Sequence, residues 1–258
     1  MLAEPMYFSD FKLGNKLLSD FNGVLYNSQD GHCINLAPSI THITEQLANQ
    51  DGELYFGSRV EPRIIDLSIY FEGAVDLQEL TAWLCKKEPQ KFMFVDDDKE
   101  INVIYNSSID LKAFYSNDFQ GLMDVSFIAY DPYFRIVNER KINISNPTIG
   151  NKYNIKSKGN VDSFPLIKIT PYKSQSKIRF KFNDMLIVLK NVDKDIYLDC
   201  ELEEVYEMNT GRKVLVREKY YSTDYYEFPI LTPFTSNTIE LIEGSVDEIS
   251  VLPNSRVL

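Results

Sequence analysis

Few residues in this sequence have the types and spacing that catalysis or metal binding requires. The two histidines, His32 and His42, have no cysteine or carboxylate beside them at the spacing of a zinc site, and no catalytic triad can be assembled around them. The glycines occur singly, so the sequence lacks a phosphate-binding loop and a dinucleotide-binding fingerprint. We therefore predict a protein that uses no metal or cofactor and is not an enzyme.

The run Asp96, Asp97 and Asp98, followed by Glu100, is the densest group of carboxylates. Carboxylate oxygens are the ligands that calcium prefers, but a dedicated calcium loop alternates its ligands and contains an obligatory glycine, and this run has neither feature. Apolar residues flank the run on both sides. The preferred interpretation is a solvated turn between two strands of a hairpin, with a calcium site as the alternative.

A second group, Asp199, Glu201, Glu203 and Glu204, resembles the paired carboxylates of a glycosidase. Such a pair must face each other across a cleft, whereas these four residues crowd around one tight connection between strands. Exposed turn charges explain them equally well, and we expect no hydrolase activity.

Residues 219–229 form a predicted loop that contains four tyrosines, Tyr220, Tyr221, Tyr225 and Tyr226. Aromatic rings stack on the apolar face of a sugar, so this segment is a candidate carbohydrate contact. The preferred alternative is that these rings line a contact with another protein subunit or cover the end of the domain.

The elements that would position these residues are mainly strands, with a single helix predicted within residues 71–89. Asp76 can cap its first turn, Glu79 can reach back in a capping box, and Pro89 prevents continuation. The predicted apolar face consists of Leu77, Leu80 and Leu84, flanked by Trp83. Strands with alternating apolar residues precede and follow it, at residues 63–71 and 123–129. The first part is therefore a mostly antiparallel sheet crossed by one helix.

From residue 138 to residue 160 the composition turns polar, which places a boundary between a first domain, 1–136, and a second, 137–258. In the second domain short apolar runs recur with turns between them, and no helical pattern is visible. Strands are predicted at residues 164–170, 177–182, 185–190, 195–200, 203–208, 213–217, 238–243 and 246–252. This spacing predicts a β-sandwich of the jelly-roll type.

Composition and charge restrict the class further. The chain has 258 residues and is 44% hydrophobic and 13% aromatic, which favours a packed, β-rich protein. Residues 1–138 contain 10 Lys and Arg against 21 Asp and Glu, and the remainder contains 17 of each, so the net charge of −11 lies in the first part. An acidic first domain argues against binding of the nucleic-acid backbone.

No segment has the length of a membrane span, and residues 1–5 lack the features of a signal peptide, so we expect synthesis in the cytoplasm without membrane insertion. The three cysteines, Cys33, Cys85 and Cys200, are widely spaced, and we expect all three to be reduced structural thiols.

Several of these segments, taken in order, resemble the distal tail protein family of long, non-contractile phage tails, over nearly the whole chain. None is a chemical signature; the resemblance depends on their order and spacing. The segments are residues 62–65, the helix face at Leu80, Trp83 and Leu84, residues 91–95, 125–133, 159–169, 196–200, 227–231 and 237–239.

The resemblance implies a structural protein of the virion tail tip. Its first domain would be a tail-tube-like β-sandwich or split barrel with one α-helix, and its second a galectin-like jelly-roll β-sandwich. Six copies would form a ring around the DNA channel, which DNA passes without specific binding. The partners implied are the tail tube protein, the tail-tip hub protein and a receptor-binding protein, and an acidic channel wall suits the passage of DNA.

Two points stay open at the level of sequence. The alternative function is a lectin that acts through the second domain and its tyrosines. The chain also departs from the family in residues 233–236, where members carry a glycine before the asparagine that corresponds to Asn237. We expect this loop to follow a different path.

Overall fold

The computed structural model describes residues 10–26, 37–48, 51–73, 75–106, 110–115, 119–223 and 227–258. The chain divides into two compact units, one formed by Met1–Val137 with Leu258 and the other by Asn138–Val257. Each unit has its own core of buried apolar side chains. As predicted, the protein is mainly β.

The first unit is built on a curled antiparallel sheet. Its strands are β1 (Phe11–Leu13), β2 (Lys16–Leu17), β3 (Gly23–Leu25), β4 (Ile40–Glu45), β5 (Leu54–Val60), β6 (Arg63–Glu72), β7 (Gln90–Phe94), β8 (Lys99–Tyr105), β9 (Asp110–Tyr115), β10 (Phe119–Ala129) and β11 (Phe134–Ile136). The main path runs β2-β1-β7-β8-β10-β6-β3, with β9 on β10 and β11 on β8, whereas β4 and β5 form a separate two-stranded sheet.

The long pair β6 and β10 is in register from Arg63 opposite Ala129 to Glu72 opposite Gln120. Their inward positions are buried, as the alternation of apolar residues predicts. Strand β10 begins at Phe119, four residues before the predicted start, because its first residues pair with β9. Residues 116–118, between β9 and β10, lie outside the described ranges.

Helix α1 (Leu77–Leu84) packs on this sheet. The carboxylate of Asp76 accepts from the amides of Gln78 and Glu79, at 2.9 and 3.1 Å, which confirms the predicted cap. The other half of the capping box is absent, because the carboxylate of Glu79 forms an ion pair with Lys16 instead.

The buried face of α1 also differs from the predicted one. Leu77 is 48% exposed, whereas Leu80, Trp83 and Leu84 are buried. The Trp83 ring stacks on Phe21, and its indole N–H donates to the carbonyl oxygen of Leu13 at 2.9 Å. Leu77 is the first helical residue, and the buried face begins one turn later. Trp83, rather than Leu77, therefore supplies the packing contact between the helix and the sheet.

The second unit is a β-sandwich, as predicted. Its strands are β12 (Ile142–Ser145), β13 (Lys152–Ile155), β14 (Leu166–Pro171), β15 (Gln175–Phe182), β16 (Met185–Val192), β17 (Ile196–Asp199), β18 (Glu204–Asn209), β19 (Arg212–Leu215), β20 (Tyr220–Ser222), β21 (Asn237–Glu243), β22 (Val246–Leu252) and β23 (Arg256–Val257). One sheet has the order β12-β22-β14-β17-β18-β19, the other β13-β21-β15-β16-β20. Their inner faces share one core.

Two strands of the sandwich lie in the polar stretch that the sequence offered as a boundary. Strand β12 pairs with β22 and strand β13 with β21, each at the outer edge of its sheet. An edge strand buries few side chains, and here only Ile144 and Ile155 are buried. The apolar signal was therefore too weak to predict either strand from composition.

The cysteines are free where the structure describes them. Cys200 is buried, and burial together with the neighbouring charge of Asp199 raises the pKa of its thiol well above the usual value. Cys85 is exposed at the end of α1, so it fills no core position, and Cys33 lies outside the described residues.

Candidate assembly surfaces

The tyrosines predicted to contact a carbohydrate or a partner do not share one environment. Tyr220 is fully buried: its ring stacks on Phe228 at a centroid distance of 4.8 Å, and its hydroxyl donates to the carbonyl oxygen of Glu227 at 2.5 Å. A ring inside the core has no face to offer a ligand, so the prediction was wrong for Tyr220. Tyr225 and Tyr226 lie outside the described residues.

Tyr221 follows on the same strand, and its side chain points to the opposite side of the sheet. It is 36% exposed, and the ammonium group of Lys190 lies 4.0 Å from its ring centroid. One face of the ring is thus engaged in a cation–π contact. A role for Tyr221 in binding stays a prediction.

The two acidic clusters lie in turns. The carboxylate of Asp199 accepts from the amide of Leu202 at 3.1 Å within the connection between β17 and β18, and Glu204 forms an ion pair with Lys213 on the neighbouring β19. In the hairpin of β7 and β8, Lys99 lies 2.7 Å from the carboxylate of Asp97. Both groups lie at connections between strands, each with carboxylates that are partly buried and hydrogen-bonded or ion-paired, and the predicted hairpin turn after β7 is confirmed.

Within the described ranges, no three His, Cys, Asp or Glu side chains are grouped closely enough to hold a metal ion. None of the helices in that part of the chain is both long and apolar enough to cross a membrane.

The most unusual surface of the first unit is the hairpin of β4 and β5, here called the apolar hairpin. Among the described strands, these two pair only with each other. All six residues of β4 are exposed, and so is most of β5. The exposed apolar side chains are Ile40 at 55%, Ile43 at 51%, Leu54 at 47%, Tyr55 at 63% and Phe56 at 62%.

Internal contacts in the apolar hairpin are sparse. His42 packs edge-on against Tyr55 at a centroid distance of 5.9 Å, and the Tyr55 hydroxyl donates to Ser58 at 3.2 Å. The ladder is interrupted by a bulge opposite Ile43, where Gly57 has a φ of 145°. An isolated two-stranded hairpin is marginal in water, so these side chains are suited to packing against another protein.

The sequence did not identify this surface, because the two apolar runs resemble ordinary strands of a sheet. Their distinguishing feature is that apolar residues occupy both alternating sets of positions. Leu54, Tyr55 and Phe56 are consecutive, and all three side chains are exposed among the described residues.

A second surface, here called the acidic face, is formed by the outward side chains in the middle of β6 and β10. Asp66 lies opposite Ser126, and Ser68 lies opposite Asp124 and donates to its carboxylate at 2.6 Å. The outward positions flanking them on these two strands are Ile64, Tyr70, Leu122 and Ile128, so β6 and β10 place no basic residue between them. The neighbouring β9 adds Asp110 opposite Asp124 and Lys112 opposite Leu122.

The comparisons with known proteins agree with this architecture. Residues 6–130 match the family model described as a phage tail protein N-terminal domain. No curated protein sequence matches the chain.

Among solved structures, the Dit protein (gp 19.1) of SPP1, described as a paradigm of the hub adsorption apparatus in phages that infect Gram-positive bacteria, is similar with a TM-score of 0.70. The identity is 12%, over 96% of this chain and 99% of that one. The phage P2 baseplate in its activated conformation with Ca is similar with a TM-score of 0.52 and 10% identity, over 95% of this chain and 97% of that one. The same baseplate with Sr is similar with a TM-score of 0.50 and 11% identity, over 94% of this chain and 97% of that one.

At these identities the structural likeness establishes the fold, and the family model supports a phage tail protein through residues 6–130. The predicted resemblance is confirmed for the tail protein class and for the two-part β fold. Residues 6–130 match a phage tail protein N-terminal domain, and the chain as a whole has the fold of the distal tail proteins.

Proposed function

We propose that this tail protein is the distal adaptor of the virion. Six copies assemble into a ring that joins the last ring of the tail tube to the tail-tip hub and lines the channel through which DNA leaves. The observation that carries the proposal is the apolar hairpin, which exposes side chains that a lone subunit leaves in water.

In a ring, each apolar hairpin packs on the next subunit. Association through one hairpin per subunit is heterologous, because the hairpin and the surface that receives it are different patches, and such contacts close into rings when the rotation fits. Full coverage of Tyr55 and Phe56 removes roughly 250 Å² from water, since a large aromatic side chain buries about 150–250 Å².

The acidic face lines the channel in this proposal. DNA carries dense negative charge, so a wall that presents Asp66 and Asp124, with Asp110 opposite Asp124, repels the backbone and lets it slide. This assignment gives the net charge of −11 in the first part of the chain a function beyond solubility.

The second unit points to the outside of the ring and carries the receptor-binding protein. The two faces of the ring contact the tail tube protein and the hub protein. Any carbohydrate affinity of the sandwich belongs to the lectin alternative. Because Tyr220 is buried in the core, that alternative depends on Tyr221 and on Tyr225 and Tyr226, which lie outside the described residues.

The test is the mass of the purified protein by light scattering, over a range of concentrations, followed by negative-stain images. We expect a hexamer with a central hole, either alone or after addition of purified tail tube protein as a template. A protein that stays monomeric under both conditions and binds glycans contradicts the adaptor function and favours the lectin.

A further inference from the structure

The loop before β21 presents the most exposed large apolar side chain among the described residues. Phe234 is 89% exposed, and its backbone has a φ of 57°, in the left-handed region. Pro233 occupies the second position of this turn and Phe234 the third, where positive φ favours glycine or asparagine. A bulky residue here is strained as well as solvated.

The loop is held in this shape by a network that does not involve the ring. The buried side chain of Asn237 accepts from the amide of Thr232 at 3.1 Å and donates to the carbonyl oxygen of the same residue at 2.9 Å. Asn183 donates to Asn237 at 3.2 Å, and the Thr235 hydroxyl donates to the Thr232 carbonyl oxygen at 3.0 Å. The turn is therefore closed at its base, and the strained residue is fixed at its tip.

Single exposed apolar residues are common on protein surfaces and need no explanation. Phe234 differs because its ring contributes almost nothing to the core while its backbone position disfavours it. The stability of the isolated protein would be served better by asparagine or glycine at this position. Strain that persists without a benefit to the fold is characteristic of positions that bind something.

The surroundings of the ring identify the kind of partner. Residues 230–239 contain no charged side chain, so the loop offers neither the cations that attract a membrane surface nor a charged group for an ionic ligand. A sugar requires directed hydrogen bonds beside the ring, but the amide of Asn237 and the hydroxyl of Thr235 are engaged in closing the loop. A rigid aromatic ring with a small, uncharged polar rim has the composition of a protein–protein hot spot.

We infer that Phe234 is an anchor residue that inserts into an apolar pocket of another tail-tip protein, which the second unit thereby holds. The identity of the partner class rests on the function proposed above; the role of the ring as an anchor rests on the loop alone. The loop is preformed, so docking requires little ordering of this side of the interface.

The experiment compares the full-length protein with Phe234→Asn, which removes the ring and tolerates positive φ. The matched control is Tyr172→Asn, because Tyr172 is an aromatic residue of the same unit that is 68% exposed. Each of the other tail-tip proteins of the same virion, purified singly, is titrated against the three immobilised proteins. We expect one of them to bind, with an affinity at least about tenfold weaker for Phe234→Asn and unchanged for the control.

Two further measurements keep the inference falsifiable. The urea midpoint of Phe234→Asn is expected to equal or exceed that of the wild type, and a clear decrease would show that the ring serves the fold. The mass by light scattering is expected to be the same for Phe234→Asn and the wild type. If the proposed hexamer does not form, the wild-type mass shows it, so that failure is distinguishable from failure of the Phe234 inference.

The inference is overturned if none of the purified tail proteins binds, or if binding is the same with and without the ring. It is also overturned if the property lost in Phe234→Asn is self-association or affinity for glycans, because the occupant is then a second copy or a sugar.

Discussion

Replacement of both Tyr55 and Phe56 by serine removes the two most exposed rings of the apolar hairpin, at 63% and 62% exposure. If the next subunit covers them, about 250 Å² leaves water in each contact, which is worth about 6 kcal/mol at 25 cal/mol per Å². Ordering of the hairpin and of the side chains that receive it offsets part of this gain. We therefore expect each contact to weaken by about 3 kcal/mol, or roughly 100-fold in the association constant.

The assay is light scattering at several protein concentrations, with circular dichroism and urea unfolding to establish that the fold is intact. Tyr172→Ser is the matched control, because this aromatic residue is 68% exposed but belongs to the second unit. The double variant should be monomeric at concentrations where the wild type and the control are assembled. An assembled double variant with the same mass as the wild type would refute the assignment of the hairpin as a subunit contact.

Three predictions concern the stability of the two units. Asp76→Ala should destabilise the first unit by about 1 kcal/mol, because α1 loses its cap; urea unfolding measures it. Gly159→Ala should lower the free energy of unfolding of the second unit by at least about 2 kcal/mol, since the added Cβ would lie 2.1 Å from the carbonyl oxygen of Arg256; the thermal midpoint measures the decrease. Lys219→Met should lower the free energy of unfolding by about 2 kcal/mol at neutral pH, because buried Glu207 loses one of its two lysine partners; urea unfolding at several pH values measures the decrease.

The last of these has a pH dependence with a defined sign. Burial lowers the pKa of Lys219, but the hydrogen bond and charge of Glu207, with the charge of Asp193, raise it above the ordinary value. A raised folded-state pKa contributes stability that is complete below the unfolded pKa, about 10.4, and is lost as the pH rises through the folded pKa. The difference between wild type and Lys219→Met should therefore shrink above about pH 10. A difference that grows there would contradict the argument.

Control variants distinguish these effects from general sensitivity. Lys173→Met changes an exposed lysine and should leave the urea midpoint unchanged at every pH. Asp76→Asn should keep most of the cap, because asparagine caps helices nearly as well as aspartate. If Asp76→Asn and Asp76→Ala lose the same stability, the side-chain cap is not what stabilises α1.

Much of the fold could be predicted because each unit has sheets with one buried side. In β6 the alternation of Ile65, Leu67 and Ile69 with polar residues fixes which side chains are buried. The strands predicted at residues 177–182 and 185–190 form the hairpin of β15 and β16, and Asn183 in the turn between them has a φ of 52°. The sandwich of the second unit followed from the spacing of such strands.

The candidate surfaces could not be predicted in the same way, because a pattern along the chain does not show what covers it. Tyr220 and Tyr221 are neighbours in sequence, yet one is in the core and the other is on the surface, since adjacent strand residues point to opposite sides. Ile43 and Phe56 have the residue types of a core, but both are exposed because no described strand pairs with or covers their hairpin.

The sequence by itself determined the mainly β class, the capped helix and the acidic character of the first part. Local rules suffice for these properties, because turn residues, caps and alternation act within a few neighbours. Only the tertiary structure decided that β12 and β13 complete the two sheets as edge strands, that Leu77 stays outside the helix interface and that Phe234 is strained and exposed. Each of these depends on which distant segment lies opposite, because burial is a property of the packed chain and not of the residue.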